Sequence, residues 1–170
     1  MDGIIYTKDF LSNHRLLFEY LRDNTVWDER MKARKTASFG RAYNYSQIEY
    51  PYQEFSPEMV EIIESIEEIL AFRPNNCLIN YYENGNSMMG FHSDQIDVLQ
   101  QGTGVVIISL GETRTLRFRN IQDRSNVVDF NLISGSLIYM SNEIQKIWQH
   151  AIIRSDTERG RMSLTFRKLK

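Results

Sequence analysis

The chain has 170 residues, 42% hydrophobic and 25% charged, which excludes disordered, collagen-like and low-complexity classes and predicts one globular domain. A formal net charge of −2 advertises no partner gripped by bulk positive charge, so a nucleic-acid role has to rest on local patches. The single cysteine, Cys77, excludes an internal disulfide or a thiolate zinc cluster and fits a reducing compartment, with the cytoplasm as the expected address. No apolar run approaches the roughly 18 residues of a membrane-crossing helix, and Met1-Asp2-Gly3-Ile4 opens no leader pattern, so no membrane partner is expected.

In chain order, Phe10, Leu17, Phe18 and Leu21 fall at helical spacing and predict a helix over residues 7–22. Residues 30–41 then carry Arg30, Lys32, Arg34, Lys35 and Arg41 with no acid. Phe39, Tyr43, Tyr45, Tyr50 and Tyr52 are interleaved or follow. Such a mixture suits phosphate contacts and base stacking; a solvated loop with its aromatics folded onto the core is the plainer alternative. A second helix is better marked. Ser56 can cap it, Pro57 fits its first position, Phe55 can staple onto Val60, and Met59, Ile62, Ile63, Ile66, Ile69 and Leu70 form one apolar stripe. Glu58, Glu61, Glu64, Glu67 and Glu68 make its other face a solvated one.

From Cys77 onward the pattern changes to short apolar or alternating runs separated by turn residues. Strands are predicted at 77–82, 105–110, 115–119, 127–132, 136–140, 147–153 and 161–169. Many short strands without intervening helices predict an α+β chain with a mainly β core, an antiparallel sandwich or jelly roll carrying the N-terminal helices outside.

Three histidines are present. His92 and Asp94, two apart in an extended segment, project to the same side and can reach one ion. His150, in a predicted strand, can be carried to the same point. Two imidazoles and a carboxylate form the face that non-heme iron(II) uses, with open positions for substrate and oxygen. Zinc is the rival metal, and an exposed or capping His-x-Asp pair the plain alternative. His14 is assigned no role. In the last strand, alternation puts Arg161, Ser163, Thr165 and Arg167 on one face and Met162, Leu164 and Phe166 on the other. Lining guanidiniums inside a barrel is costly unless an anion meets them, and a small dicarboxylate would; otherwise this strand is an exposed edge. Asn80 and Tyr82 share a face and offer an amide and a phenol to the same interior.

Asn80-x-Tyr82 with Gly85, His92-x-Asp94, Ser109-Leu110-Gly111, His150 and Arg161-x-Ser163-x-Thr165-x-Arg167 occur in that order. Together, over residues 76–168, they resemble the AlkB family of iron(II)- and 2-oxoglutarate-dependent dioxygenases. The resemblance implies a double-stranded β-helix for residues 76–170, with N-terminal helices and a nucleotide-recognition lid in residues 1–75. It implies iron(II) held by His92, Asp94 and His150, with 2-oxoglutarate and O2 as cosubstrates. Arg161, Tyr82 and Ser163 would bind the far carboxylate, and Asn80 and Arg167 would serve the chelating end. Many relatives carry Asn where Ser163 stands; the shorter hydroxyl loses a contact or bridges it by water. Asp94 argues against halogenation, which needs that coordination position empty.

The implied substrate is alkylated DNA or RNA. Thr36-Ala37-Ser38-Phe39-Gly40 and Tyr43-Asn44-Tyr45-Ser46 resemble the lid, and Tyr45, helped by Tyr43, would sandwich a flipped base against His92. Flipping is cheapest where methylation already blocks pairing, which points to 1-methyladenine and 3-methylcytosine. Two residues beyond the ligating aspartate, where demethylases of the family usually place an acid, this chain has Ile96, with Asp97 one place further on. Two other readings use the same residues. One is a hydroxylase or demethylase of a protein or small molecule, which the near-neutral charge and Ile96 permit. The other is an inactive jelly roll that only binds nucleic acid, which leaves the retention of all three ligands and both arginines without a reason.

Overall fold

The computed structural model describes residues 1–43 and 48–170. In chain order the elements are β1 (Ile4–Thr7), α1 (His14–Asn24), β2 (Lys35–Gly40), α2 (Pro57–Leu70), β3 (Asn76–Tyr82), β4 (Met89–His92), β5 (Gly104–Gly111), β6 (Arg114–Asn120), β7 (Val127–Leu132), β8 (Leu137–Ser141), α3 (Ile144–Ile147), β9 (Trp148–Ile152) and β10 (Arg161–Arg167). The strands form a six-stranded sheet, β1-β8-β5-β10-β3-β2, and a four-stranded sheet, β4-β9-β6-β7. Every pairing is antiparallel. This is the mainly β jelly roll that the strand pattern predicts.

The large sheet is covered on both faces, which explains why β5 reads as an unbroken apolar run rather than an alternation. On its inner face Leu78, Ile107 and Ile138 meet Leu116, Phe118 and Ile152 of the small sheet. On its outer face Cys77, Ile79, Val106, Ile108, Met162, Leu164 and Phe166 receive Leu17 and Leu21 of α1 and Met59, Ile62, Ile63 and Ile66 of α2. The α2 start follows the sequence signals: the Met59 N–H donates to Ser56 Oγ at 3.3 Å, and Pro57 takes the first turn. Its Glu61, Glu64, Glu67 and Glu68 face solvent.

One local expectation is corrected. The helix predicted over 7–22 begins only at His14, because Ile4–Thr7 instead adds an edge strand to β8, with Ile4 opposite Met140 and Tyr6 opposite Ile138. Four residues give too short an alternation to announce a strand. Residues 36–40, which resemble the lid, lie in β2, the other edge of the large sheet, paired to β3.

The segment joining β3 to β4 is bolted to the segment after β9. The Gly85 N–H donates to the Thr157 carbonyl at 2.7 Å, and the Gly85 carbonyl accepts from the Ser155 N–H at 3.0 Å. A Cβ on Gly85 would stand 1.9 Å from the Ser155 carbonyl oxygen, so Gly85→Ala must part these segments. The expected cost is about 1–3 kcal/mol, read as a lowered thermal midpoint. An unchanged midpoint would show that the approach is not tight.

Candidate active site

Strand pairing brings the ligand set together. β4 and β9 place His92 opposite His150, with ring centroids 4.4 Å apart, and Asp94 follows just beyond the end of β4. Both Nε2 atoms turn to the same carboxylate oxygen: Asp94 Oδ1 lies 3.3 Å from His92 and 3.6 Å from His150. One ligand atom from each residue lies within 4.8 Å of the others, a cluster that can hold a metal ion. The Nδ1 of His92 stands 2.9 Å from the Gly90 carbonyl; an N–H there leaves Nε2 as the lone-pair nitrogen, the arrangement ligating imidazoles use. The backbone N–H of Asp94 donates to Gln145 Oε1 at 2.8 Å, and Arg167 Nη2 donates to Asp94 Oδ2 at 3.4 Å. Asp94 and His150 are buried side chains, and His92 sits at the mouth with 27% of its side chain exposed, so this is no surface capping pair.

Electrostatics keep Asp94 anionic. Burial alone would push its carboxyl up, but Arg167 and the two imidazoles overcome this and hold it well below the usual carboxylate range. Burial pulls the His92 imidazole down, and Asp94 more than offsets this, leaving it raised.

The opposite wall comes from three adjacent strands in register. Arg161 of β10 lies between Tyr82 of β3 and Gly111 of β5, and Ser163 between Asn80 and Ser109. β10 is thus a central strand, fully buried, and not an exposed edge. Arg161 is 1% exposed and donates from Nη2 to Ser109 Oγ at 2.8 Å. Its Nε and Nη1 find no hydrogen-bond partner among the described residues. Burial pushes this guanidinium down to about 10. Arg167 leans its guanidinium on the Tyr43 ring at 4.2 Å, and its Nε and Nη1 are likewise unmet among the described residues. Between the walls lies a cavity with about 520 Å³ of free space, open mouth included. It is lined by His92, Asp94 and His150 on one side and by Asn80, Tyr82, Arg161, Ser163, Thr165 and Arg167 on the other, with Tyr43 at the edge.

The residues expected on the substrate side fare differently. Phe39 packs with the α-helical cluster on the outer face of the large sheet, because alternation in β2 turns Thr36 and Ser38 inward instead. Tyr43 lines the cavity. Tyr45 lies outside the described residues. Asp97 is exposed and does not line the cavity, and Ile96 packs against the inter-sheet core. Much of the basic run is already partnered: at the surface Arg30 pairs with Asp28, and Lys35 lies 3.4 Å from Glu29 and 3.5 Å from Glu83. Arg34 is buried, donating to Asn80 Oδ1 and to the Met88 carbonyl, each at 3.1 Å. Sequence reasoning named Ser109 within a motif but gave it no role, and it passed over Gln145 and Arg114, which carry no local signal.

Fold and ligand set define the class, a jelly-roll oxygenase of the non-heme iron(II) type. The chain belongs to the 2OG-Fe(II) oxygenase superfamily, whose family model matches residues 8–167. Within it, the chain is similar to AlkB homologues. It is 29% identical to the DNA oxidative demethylase ALKBH2 of Mus musculus over 147 residues, 80% of this chain and 62% of that protein. It is 33% identical to the uncharacterized protein R406 of Acanthamoeba polyphaga mimivirus over 117 residues, 68% of this chain and 60% of that one. A match to the RNA replication polyprotein of Citrus leaf blotch virus, 32% identical, covers 74% of this chain and 6% of the polyprotein. The chain thus spans about three fifths of the length of the mimivirus and mouse relatives. The solved structure of OsALKBH1 superposes with a TM-score of 0.71 at 18% identity, covering 99% of both chains.

Iron(II) and 2-oxoglutarate are what this class of enzyme uses, and the residues fit both. The two imidazoles and the carboxylate are a donor set for iron(II). The unmet donors of Arg161 and Arg167 are what a dicarboxylate would satisfy. No helix among the described residues is long and apolar enough to cross a membrane.

Proposed function

We propose that this dioxygenase removes N-alkyl groups from nucleic-acid bases, 1-methyladenine and 3-methylcytosine in DNA or RNA. The observation that carries the reading is a His92-Asp94-His150 cluster beneath an aromatic-edged cavity in a chain similar to DNA oxidative demethylases. The match within an RNA replication polyprotein keeps RNA beside DNA as the polymer.

His92, Asp94 and His150 would hold the iron, which with 2-oxoglutarate and O2 supplies oxidation of a carbon–hydrogen bond, 2-oxoglutarate leaving as succinate and CO2. Arg167 keeps Asp94 charged and oriented. Arg161, steadied by Ser109 beside Tyr82 and Ser163, would take the far carboxylate of 2-oxoglutarate through charge-assisted hydrogen bonds, each worth about 1.5–3 kcal/mol. Asn80, oriented by Arg34, would serve the chelating end with Arg167. His92, half-open at the mouth, offers a face to the base. An N-hydroxymethyl product then breaks its carbon–nitrogen bond: the hydroxyl proton goes to solvent, formaldehyde leaves, and the bond's electron pair stays on the ring nitrogen of the restored base.

A panel of singly methylated DNA and RNA oligomers, incubated with iron(II), 2-oxoglutarate and oxygen, tests this. Loss of one methylene in mass from at least one oligomer is expected. One observation favours a second reading, a protein or small-molecule substrate: Ile96 stands in place of an acid, and three of the five expected phosphate-binding cations are paired or buried. Succinate release with every oligomer left intact would favour it.

A further inference from the structure

The closed end of the cavity holds more positive charge than the cosubstrate-facing residues account for. Arg114 opens β6 and is 2% exposed, yet it does not line the cavity. Its guanidinium donates to the carbonyls of Asn84 (3.2 Å), Gly85 (3.4 Å), Ser87 (2.8 Å) and Ile153 (2.7 Å). Its Nε is buried without a partner among the described residues. It stands 5.7 Å from the centroid of the Tyr82 ring, which Arg161 also approaches to 5.4 Å and Arg34 to 5.9 Å. Among the described residues, no carboxylate lies within ion-pair distance of any of these arginines. Carbonyl dipoles hold Arg114 in place but leave its net charge standing in a low-dielectric wall, where a cation acts over longer range than in water. The one carboxylate whose field reaches Arg114, Glu112, lies beyond ion-pair distance and is shared with Arg159, so this buried cation is only partly offset and an arriving anion would relieve it.

We propose that Arg114 is a specificity residue for the cosubstrate, acting through the field it adds behind Arg161 and so selecting a dianionic 2-oxo acid over a monoanionic one. This rests on the 2-oxoglutarate site described above. A monoanion spends its only carboxylate at the metal end. The charge at the far end, which Arg161 supplies and Arg114 reinforces beside Tyr82, acts only on the second carboxylate.

The test uses the full chain loaded with manganese(II), which binds without turnover, titrated with 2-oxoglutarate and with 2-oxopentanoate, in which a methyl group replaces the second carboxylate. The wild type is expected to prefer 2-oxoglutarate by about 100-fold or more, the worth of two charge-assisted hydrogen bonds. Arg114→Gln keeps an amide donor for the carbonyls but removes the charge. It should weaken 2-oxoglutarate by about tenfold and leave 2-oxopentanoate within about twofold, since only the dianion meets the lost field. Arg114→Lys keeps the charge and loses most carbonyl contacts, and it should keep the wild-type preference. Equal weakening of both acids in Arg114→Gln, or loss of the preference in Arg114→Lys, would overturn the inference, because Arg114 would then act only by holding the loop. If Arg114→Gln does not fold, the preference of Arg114→Lys decides. A wild type that binds neither acid would fail the 2-oxoglutarate site itself, a different failure from a wild-type preference that Arg114→Gln retains, which sinks only this inference.

Discussion

Arg161→Met is expected to raise the melting temperature of the cosubstrate-free protein while weakening 2-oxoglutarate binding by about 100-fold. The two effects have one cause. Arg161 is 1% exposed, with one hydrogen bond to Ser109 and with Nε and Nη1 unmet among the described residues. Burial, with repulsion from Arg114 beside it, drags its guanidinium down to about 10, so the folded state penalises its charged form. Because the folded value is the lower one, the penalty is complete below about 10 and is relieved only as pH climbs toward the ordinary guanidinium range, so it is constant across neutral pH. Replacing an unpaired buried cation by an apolar side chain of similar length removes it, with a gain of about 1–4 kcal/mol. Thermal melts with and without 2-oxoglutarate check both halves. A Met variant that melts lower than wild type without cosubstrate, or that is still stabilised normally by 2-oxoglutarate, would remove Arg161 from the role given to it.

His92→Ala and His150→Ala should both abolish turnover, measured as succinate formed, but only the second should damage the fold. The difference follows from position. His92 stands at the mouth with 27% of its side chain exposed, and its ring contacts are chiefly the other ligands. His150 is buried between β4 and β6, with the Phe118 ring 5.7 Å away, so deleting it leaves a hole in the inter-sheet packing. The cost should be about 2 kcal/mol or more, which lowers the melting temperature by about 4 °C or more in a chain of this size. Residual succinate formation in His92→Ala, or equal stability of the two variants, would contradict the site as built.

The sequence exposes those parts whose signal is local. Alternation in β10 assigns Arg161, Ser163, Thr165 and Arg167 to one face, and in the fold that face lines the cavity. Ser56-Pro57 and the isoleucine stripe mark α2 to within a residue, because capping and amphipathicity are written along a single helix. β1 and β2 escape notice because each is an edge strand whose partner lies far along the chain, at β8 and β3. The basic run misleads for a related reason. Charge is legible in a sequence but its destination is not: Arg34 turns inward to Asn80, while Arg30 and Lys35 are met by acids. Phe39 shows the same limit in reverse, since register with Cys77 commits it to the helix-covered face.

The stack of Tyr43 on Arg167 carries a mechanical consequence. That guanidinium rests at once on an aromatic wall of the cavity and on the carboxylate among the candidate metal ligands, 4.2 Å from the first and 3.4 Å from the second. One side chain thus ties the aromatic lining to the ligand set, and a substitution that unseats it is felt at both.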